Sequence, residues 1–231
     1  MPAPLIVVLA GLVAVAAVAL IARSVASHRA NRRAAREALE RLGFRPCPDQ
    51  KDWLQETIGR IENNKGYRYE VGDPMRLGSD PAVAVYHYVK VRHEATRERF
   101  VDGEEILFPL KRPSSAGLVL VVKPAAIASG VAARIVGAVA TGPWDVQPDD
   151  LSRLELPPEL KGTNILGALA PPGARFYDLI DAKSLSAVQG LGDAGAMMVH
   201  FRDDWCTVSQ TSGRIPFNVS ELVSRVRPLL S

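Results

Sequence analysis

An unbroken apolar run occupies the start of the chain. Positions 4–22 read PLIVVLAGLVAVAAVALIA, nineteen residues without a charge. At about 1.5 Å per residue, a helix of this length spans the roughly 30 Å hydrocarbon core of a bilayer. The pattern therefore predicts a transmembrane helix over 4–22 after a short tail, 1–3. A cleaved signal peptide and a buried core helix are the alternatives, but the run is long for the first and offers no clean cleavage site.

Arginines follow the apolar run at once. Segment 23–45 holds seven arginines against two glutamates, a balance of +5 that leaves −2 of the formal net charge of +3 for residues 46–231. Positive charge beside a span stays on the cytoplasmic side. We therefore expect a single-pass protein of the inner cell membrane, with its N-terminus outside and its C-terminal part in the cytoplasm.

The arginine spacing in this stalk predicts an amphipathic helix over 27–42 that ends at Gly43. Basic residues close to a membrane surface are attracted to anionic headgroups by about 1 kcal/mol each. A solvated spacer helix is the alternative. The side chains predicted to contact the membrane surface are Arg23, Arg29, Arg32, Arg33 and Arg36.

The chain beyond the stalk changes from helical to strand periodicity. A helix is expected just after Asp49 and should end at 63–66, with an apolar stripe of Trp53, Leu54, Ile58 and Ile61. Strict alternation over 83–92 then predicts a strand. Two further strands, 106–110 and 118–122, with turns at Asp102-Gly103 and 113–115, complete an expected antiparallel meander.

The second half is less regular. Segment 125–140 is apolar with helical spacing, and 143–172 is rich in proline and should be mostly irregular, apart from a short strand near 154–156. Short helices are expected at 175–180 and 184–189. Strands at 196–202 and 205–210 are predicted to form a C-terminal hairpin that turns at Asp203-Asp204, and Asn218 should cap a last helix.

These elements together predict an α+β fold. Residues 46–231 form the predicted domain, either as one body or as two lobes, 46–124 and 145–231. Trp53, Trp144 and Trp205 are expected to anchor the core. An anchor, an arginine-rich stalk and a small α+β body form a layout common to unrelated bacterial membrane proteins.

Motifs that carry chemistry are weak in this sequence. Gly190, Gly192 and Gly195 spell GxGxxG, but a helix precedes and a strand follows, the reverse of a dinucleotide-binding loop. No HExxH, CxxC, P-loop or GxSxG spacing occurs. We therefore predict no catalytic residue, no cofactor and no metal. The one polar cluster worth following is His200, Arg202, Asp203 and Asp204.

The charge distribution also bears on partners. Because the excess of basic residues lies in the stalk and not on the domain, a nucleic-acid partner is disfavoured. Small residues of the anchor, including Gly11 and Ala14, can form a seam for homo-oligomers. Cys47 and Cys206 should remain thiols in a reducing cytoplasm and pair only if the topology is reversed.

Three functions remain in competition. The first is a non-enzymatic interaction module that is tethered to the membrane and binds a protein partner. The second is a domain that binds lipid or a small ligand between the sheet and segment 125–140. The third is an enzyme of unrecognised type that uses His200, Asp203 and Asp204.

Overall fold

A computed structural model describes residues 33–34, 36–78, 83–94, 97–122, 148–192, 198–211 and 219–226. The chain divides into two compact units, Met1–Gly43 and Phe44–Ser231. In the described part of the chain, no helix combines the length and apolarity needed to cross a bilayer. The predicted span 4–22, the predicted helix 125–140 and the arginines at 23, 29 and 32 lie outside the described residues.

The described part of the first unit is helical over 36–41. The helix ends in a turn in which the Gly43 amide donates to the Glu40 carbonyl at 3.0 Å. Gly43 has a φ of +90°, a left-handed conformation that glycine adopts without a steric cost. A glycine at 43 therefore ends the helix where the sequence predicts an end.

The second unit contains seven strands and four α-helices within the residues described. Two short 3₁₀ turns, Pro48–Gln50 and Pro158–Leu160, accompany them. In chain order the elements are β1 Arg45–Pro46, α1 Lys51–Glu62, β2 Tyr67–Leu77, β3 Val83–Glu94, β4 Arg97–Val122, β5 Ser152–Leu154, β6 Ile165–Ala170, α2 Phe176–Leu179, α3 Ala182–Leu191, β7 Met198–Thr211 and α4 Val219–Val226. An antiparallel sheet with several helices confirms the predicted α+β class.

The sheet is organised around β4, which has 26 residues. Strands β2, β3 and β4 pair in succession as the predicted meander. β7 pairs along one edge of β4, whereas β3 and β6 pair with different parts of the other edge. β1 extends the sheet beyond β2, and β5 extends it beyond β6.

The predicted turns inside β4 are wrong. Segments 106–110 and 118–122 belong to one strand, and Asp102-Gly103 pair with Val89 and Tyr88 of β3. The residues around Ser114 form a bulge, because the ladder with β7 shifts register on both sides of Ser114 and then continues. Pairing with β7 on both sides keeps the chain extended where local sequence favours a turn.

The predicted C-terminal hairpin is also wrong. Residues 198–211 form the single strand β7, whose partner is β4. Asp203 has a φ of +52° and lies at the bulge, so the two aspartates bend the strand but do not reverse it. The sequence reading also missed β6, which lies in the stretch expected to be irregular, and it placed β5 two residues late.

Both faces of the sheet are covered. The apolar stripe of α1 packs on one face against a cluster that includes Tyr69, Val71, Tyr86 and Leu107. Successive strand residues point to opposite faces, yet the consecutive side chains of 106–108 are all 0% exposed. Helices α2 and α3 contact β4, and α4 packs against α3.

Candidate functional site

Two buried ionisable side chains of the second unit meet where α1 ends. Asn63 has a φ of +40° and its amide donates to the Gly59 carbonyl, which ends the helix at Glu62. The Glu62 side chain turns into the core, and its Oε1 lies 3.9 Å from Nδ1 of His200 on β7. Both side chains are 2% exposed, so a carboxyl group and an imidazole face each other away from water.

Glu105 of β4 adds a second buried carboxyl group to this region. It is 0% exposed and accepts a hydrogen bond of 2.8 Å from the Tyr86 hydroxyl. Burial, followed by the charge of Glu105, holds the pKa of Tyr86 well above its usual value. Burial also raises the pKa of Tyr69, and the charges of Glu62 and Glu105 raise it further. The two phenols therefore stay protonated at neutral pH, and the Tyr86 hydroxyl donates to Glu105.

This arrangement joins a helix to a sheet through polar groups. Glu62 comes from α1, Tyr86 from β3, Glu105 from β4 and His200 from β7. Among the residues that the structure describes, no three His, Cys, Asp or Glu side chains lie close enough together to hold a metal ion. Buried ionisable groups need partners. Here Tyr86 is the partner of Glu105, and His200 faces Glu62.

Arg202 forms a second polar link, between β7 and the segment that precedes β5. Its guanidinium binds the Asp150 carboxylate through two hydrogen bonds of 2.8 Å each. These bonds, together with a hydrogen bond from the Asn63 side chain, lower the pKa of Asp150 to about 2. Gly117 allows the guanidinium this position, because a Cβ at 117 would lie 2.7 Å from Nη2 of Arg202.

The neighbouring aspartate strengthens the same link. The Asp149 amide donates to the Asn63 carbonyl at 2.9 Å. The Asp149 carboxylate accepts from the Lys65 amide at 3.0 Å. The segment that precedes β5 is thereby fastened to the end of α1.

The two aspartates of the predicted cluster lie elsewhere. Asp203 and Asp204 are exposed at the bulge of β7. Trp205 follows them, and its ring meets the ring of Trp53 edge to face, with centroids 5.5 Å apart and an interplanar angle of 68°. Trp53 is 40% exposed, whereas Trp205 is partly buried against the core.

Exposed carboxylates are therefore close in sequence to each of the two tryptophans that make this contact. We call this surface the Trp53 patch and define it as Trp53, Trp205, Asp52, Glu56, Asp203 and Asp204. Asp52 is next to Trp53 on α1, and Glu56 is three residues further on the same helix. Within the part of the chain that the structure describes, no hydrogen bond or ion pair engages these four carboxylates.

The sequence-predicted cluster is thus divided between two places. His200 points into the core and Arg202 binds Asp150, while Asp203 and Asp204 lie at the surface. Sequence reasoning missed Glu62, Glu105 and the exposure of Trp53. Nothing in the sequence marks Glu62, at the end of an apolar helical stripe, or Glu105, within a strand. Only the packing of the fold brings the two glutamates into one region.

Two of the five arginines predicted to contact the membrane are described. Arg33 binds Glu37 at 2.9 Å and Arg36 binds Glu40 at 3.0 Å, and all four side chains are well exposed. Such i, i+4 pairs on a surface helix contribute a few tenths of a kcal/mol. The arginines remain accessible beside their partners.

Comparisons of this chain with known protein families, with curated proteins and with solved structures find no match.

Proposed function

We propose that this chain is a single-pass membrane protein whose body, 46–231, is a non-enzymatic interaction module on the cytoplasmic side of the inner membrane. The nineteen apolar residues of 4–22 and the balance of +5 in 23–45 support the anchor and its orientation. In this proposal the N-terminus is outside, and the stalk arginines lie against anionic headgroups.

The Trp53 patch is the observation that carries the interaction part of the proposal. Charged side chains such as His200 and Arg202 are engaged in packing, whereas the patch presents a 40% exposed tryptophan with carboxylates that bind nothing else in the described chain. Tryptophan dominates the energetic centres of protein interfaces. The partner is therefore a protein, and nucleic acid is disfavoured because the body carries net negative charge.

Membrane extraction and a fusion reporter test the anchor. The full chain should stay in the membrane fraction after a carbonate wash, because 4–22 is long enough to span it. A phosphatase fused after Ser231 should be inactive and a fluorescent protein at the same point should be bright. Release by carbonate, or an active phosphatase, contradicts the proposed location.

Site-specific cross-linking in cells tests the interaction. A photo-reactive residue at position 56 lies in the Trp53 patch, and the same residue at position 178 serves as the control, because Asp178 is exposed outside it. We expect a discrete protein adduct from position 56 and none from position 178. Equal adducts at both positions, or turnover of a substrate by the purified chain, would count against an interaction module.

A further inference from the structure

The chemistry of the Trp53 patch identifies the kind of partner that it fits. We infer that the patch docks an arginine-rich segment of a partner protein. This inference rests on the proposed interaction function and names the partner's chemistry. It follows from the charge, the aromatic surface and the geometry of the patch, each of which selects for cations and for arginine in particular.

Charge provides the first selection. The turn and helix from Pro48 to Glu56 carry Asp49, Asp52 and Glu56 against Lys51 alone, and β7 adds Asp203 and Asp204. By contrast, two exposed carboxylates elsewhere are already paired, Glu70 with Arg68 at 2.7 Å and Asp178 with Arg175 at 3.0 Å. At the Trp53 patch, a basic segment therefore gains ion pairs without displacing any that the described residues make.

The tryptophans provide the second selection. The Trp53 ring makes an edge-to-face contact with Trp205 and leaves 40% of its surface exposed. A guanidinium stacks on a tryptophan face while its edge binds carboxylates. A lysine ammonium cannot stack in this way. The patch should therefore prefer arginine to lysine, and the part of this preference that comes from stacking should depend on the Trp53 ring.

Binding of labelled peptides to the full chain in neutral detergent tests both selections. The probes are fluorescein-labelled nona-arginine and nona-lysine, measured by anisotropy at low salt. We expect nona-arginine to bind roughly two- to fivefold more tightly, the factor that a stacked cation contributes at an exposed site. The affinity for both peptides should fall as the salt concentration rises, because salt screens the carboxylates.

Variants separate the two contributions. D52N/E56Q/D203N/D204N removes the four carboxylates. It should lower the affinity for both peptides at least about tenfold, since several exposed ion pairs are lost together. W53L keeps an apolar contact with Trp205 and should reduce the preference for arginine without the general loss of binding expected of the fourfold variant. The matched control, E70Q/D178N, removes two carboxylates that are already paired and should bind like the unaltered chain.

Equal binding by the fourfold variant and the unaltered chain would overturn the inference, as would equal affinity for the two peptides before Trp53 is changed. Circular dichroism of each variant checks that the fold is intact, and W53F, which keeps an aromatic face, provides a second variant if W53L fails to fold. If neither peptide binds but position 56 gives a protein adduct, the proposed interaction module is still supported. Only the inference of an arginine-rich partner is then wrong.

Discussion

Asp150 depends on folding for its low pKa. The Arg202 hydrogen bonds and the Asn63 side chain lower the pKa of this carboxyl from 3.8 to about 2. A group whose folded pKa is depressed stabilises the fold above its unfolded pKa, and that contribution is lost as the pH falls through the folded value. The contribution of Asp150 is therefore complete above about pH 4 and disappears towards pH 2.

Replacing Asp150 with Asn should lower the free energy of unfolding at pH 7 by only about 1 kcal/mol, because the Asp150 side chain is 44% exposed and solvent screens the pair. The difference between the two proteins should shrink as the pH is lowered from 4 to 2. Chemical denaturation of the full chain at several pH values measures it. A difference that stays constant over this range would show that the Arg202 bond is not its source.

Gly117 permits the same link by leaving space. A Cβ at 117 would lie 2.7 Å from Nη2 and 3.1 Å from Cζ of Arg202, and 3.2 Å from Leu151. Gly117→Ala should therefore displace the guanidinium and lower the melting temperature. Gly59→Ala is the control, because nothing lies within 4 Å of a Cβ there and alanine favours a helix by about 1 kcal/mol. Loss of stability in both variants would mean that crowding at 117 is not the cause.

Glu62 and His200 should behave as a unit. Removing one partner leaves the other buried and uncompensated, so Glu62→Leu or His200→Phe alone should cost about 3 kcal/mol. The double variant should cost less than the sum by at least about 1 kcal/mol. Denaturation of the four proteins measures the coupling. A parallel cycle with Thr57→Val, which replaces another buried polar residue of α1, should be additive with His200→Phe.

At the scale of elements, the bulge depends on the backbone of Asp203. Its φ of +52° is a conformation that aspartate, asparagine and glycine tolerate but β-branched residues do not. Asp203→Val should destabilise the fold by about 1–2 kcal/mol, whereas Asp203→Gly should have little effect. Thermal unfolding of both variants distinguishes them. Equal stability of the two would indicate that β7 bends without this conformation.

The elements that the sequence predicts well are those with a complete local signal. The α1 stripe ends at an asparagine that adopts the left-handed conformation, and the alternating segment 83–92 lies within the single strand β3. Ser114 and Asp203 were misread because turn-forming residues also form bulges. Only the partner strand, distant in sequence, determines which of the two they make.

The candidate sites show the same division between local and distant signals. The sequence identifies Asp203 and Asp204 as polar residues at a break in a strand, and polar residues at such a break are expected to be exposed. The meeting of Glu62 with His200 could not be recognised, because it depends on how α1 lies across the sheet. Trp53 looked like a core residue, since it belongs to the apolar stripe of α1, yet it lies at the margin of the helix–sheet contact.

For the whole molecule, the division into two units gives a direct prediction. The unit Phe44–Ser231 should fold without the preceding residues, because it contains the entire sheet and the described helices packed on it. A version that begins at Pro48 should be markedly less stable, since it lacks β1, the buried Cys47 and Phe44, which is 2% exposed. Loss of a buried aromatic side chain alone costs about 3–5 kcal/mol. Near-ultraviolet circular dichroism and denaturation of the two fragments test this, and equal stability would contradict a role for Phe44 in the core.

The pairing of β4 with β7 also has a consequence for the order of folding. β2, β3 and β4 are neighbours in sequence and can associate while the ribosome is still adding residues, whereas Gly103 meets Thr211 only near the end of translation. Contacts between distant residues form slowly. Until Met198 and the residues after it emerge, β4 lacks its partner along one edge, and that edge includes the apolar runs 106–108 and 118–121. An unpaired strand edge favours aggregation, so we expect the chain to be most prone to aggregate during that interval.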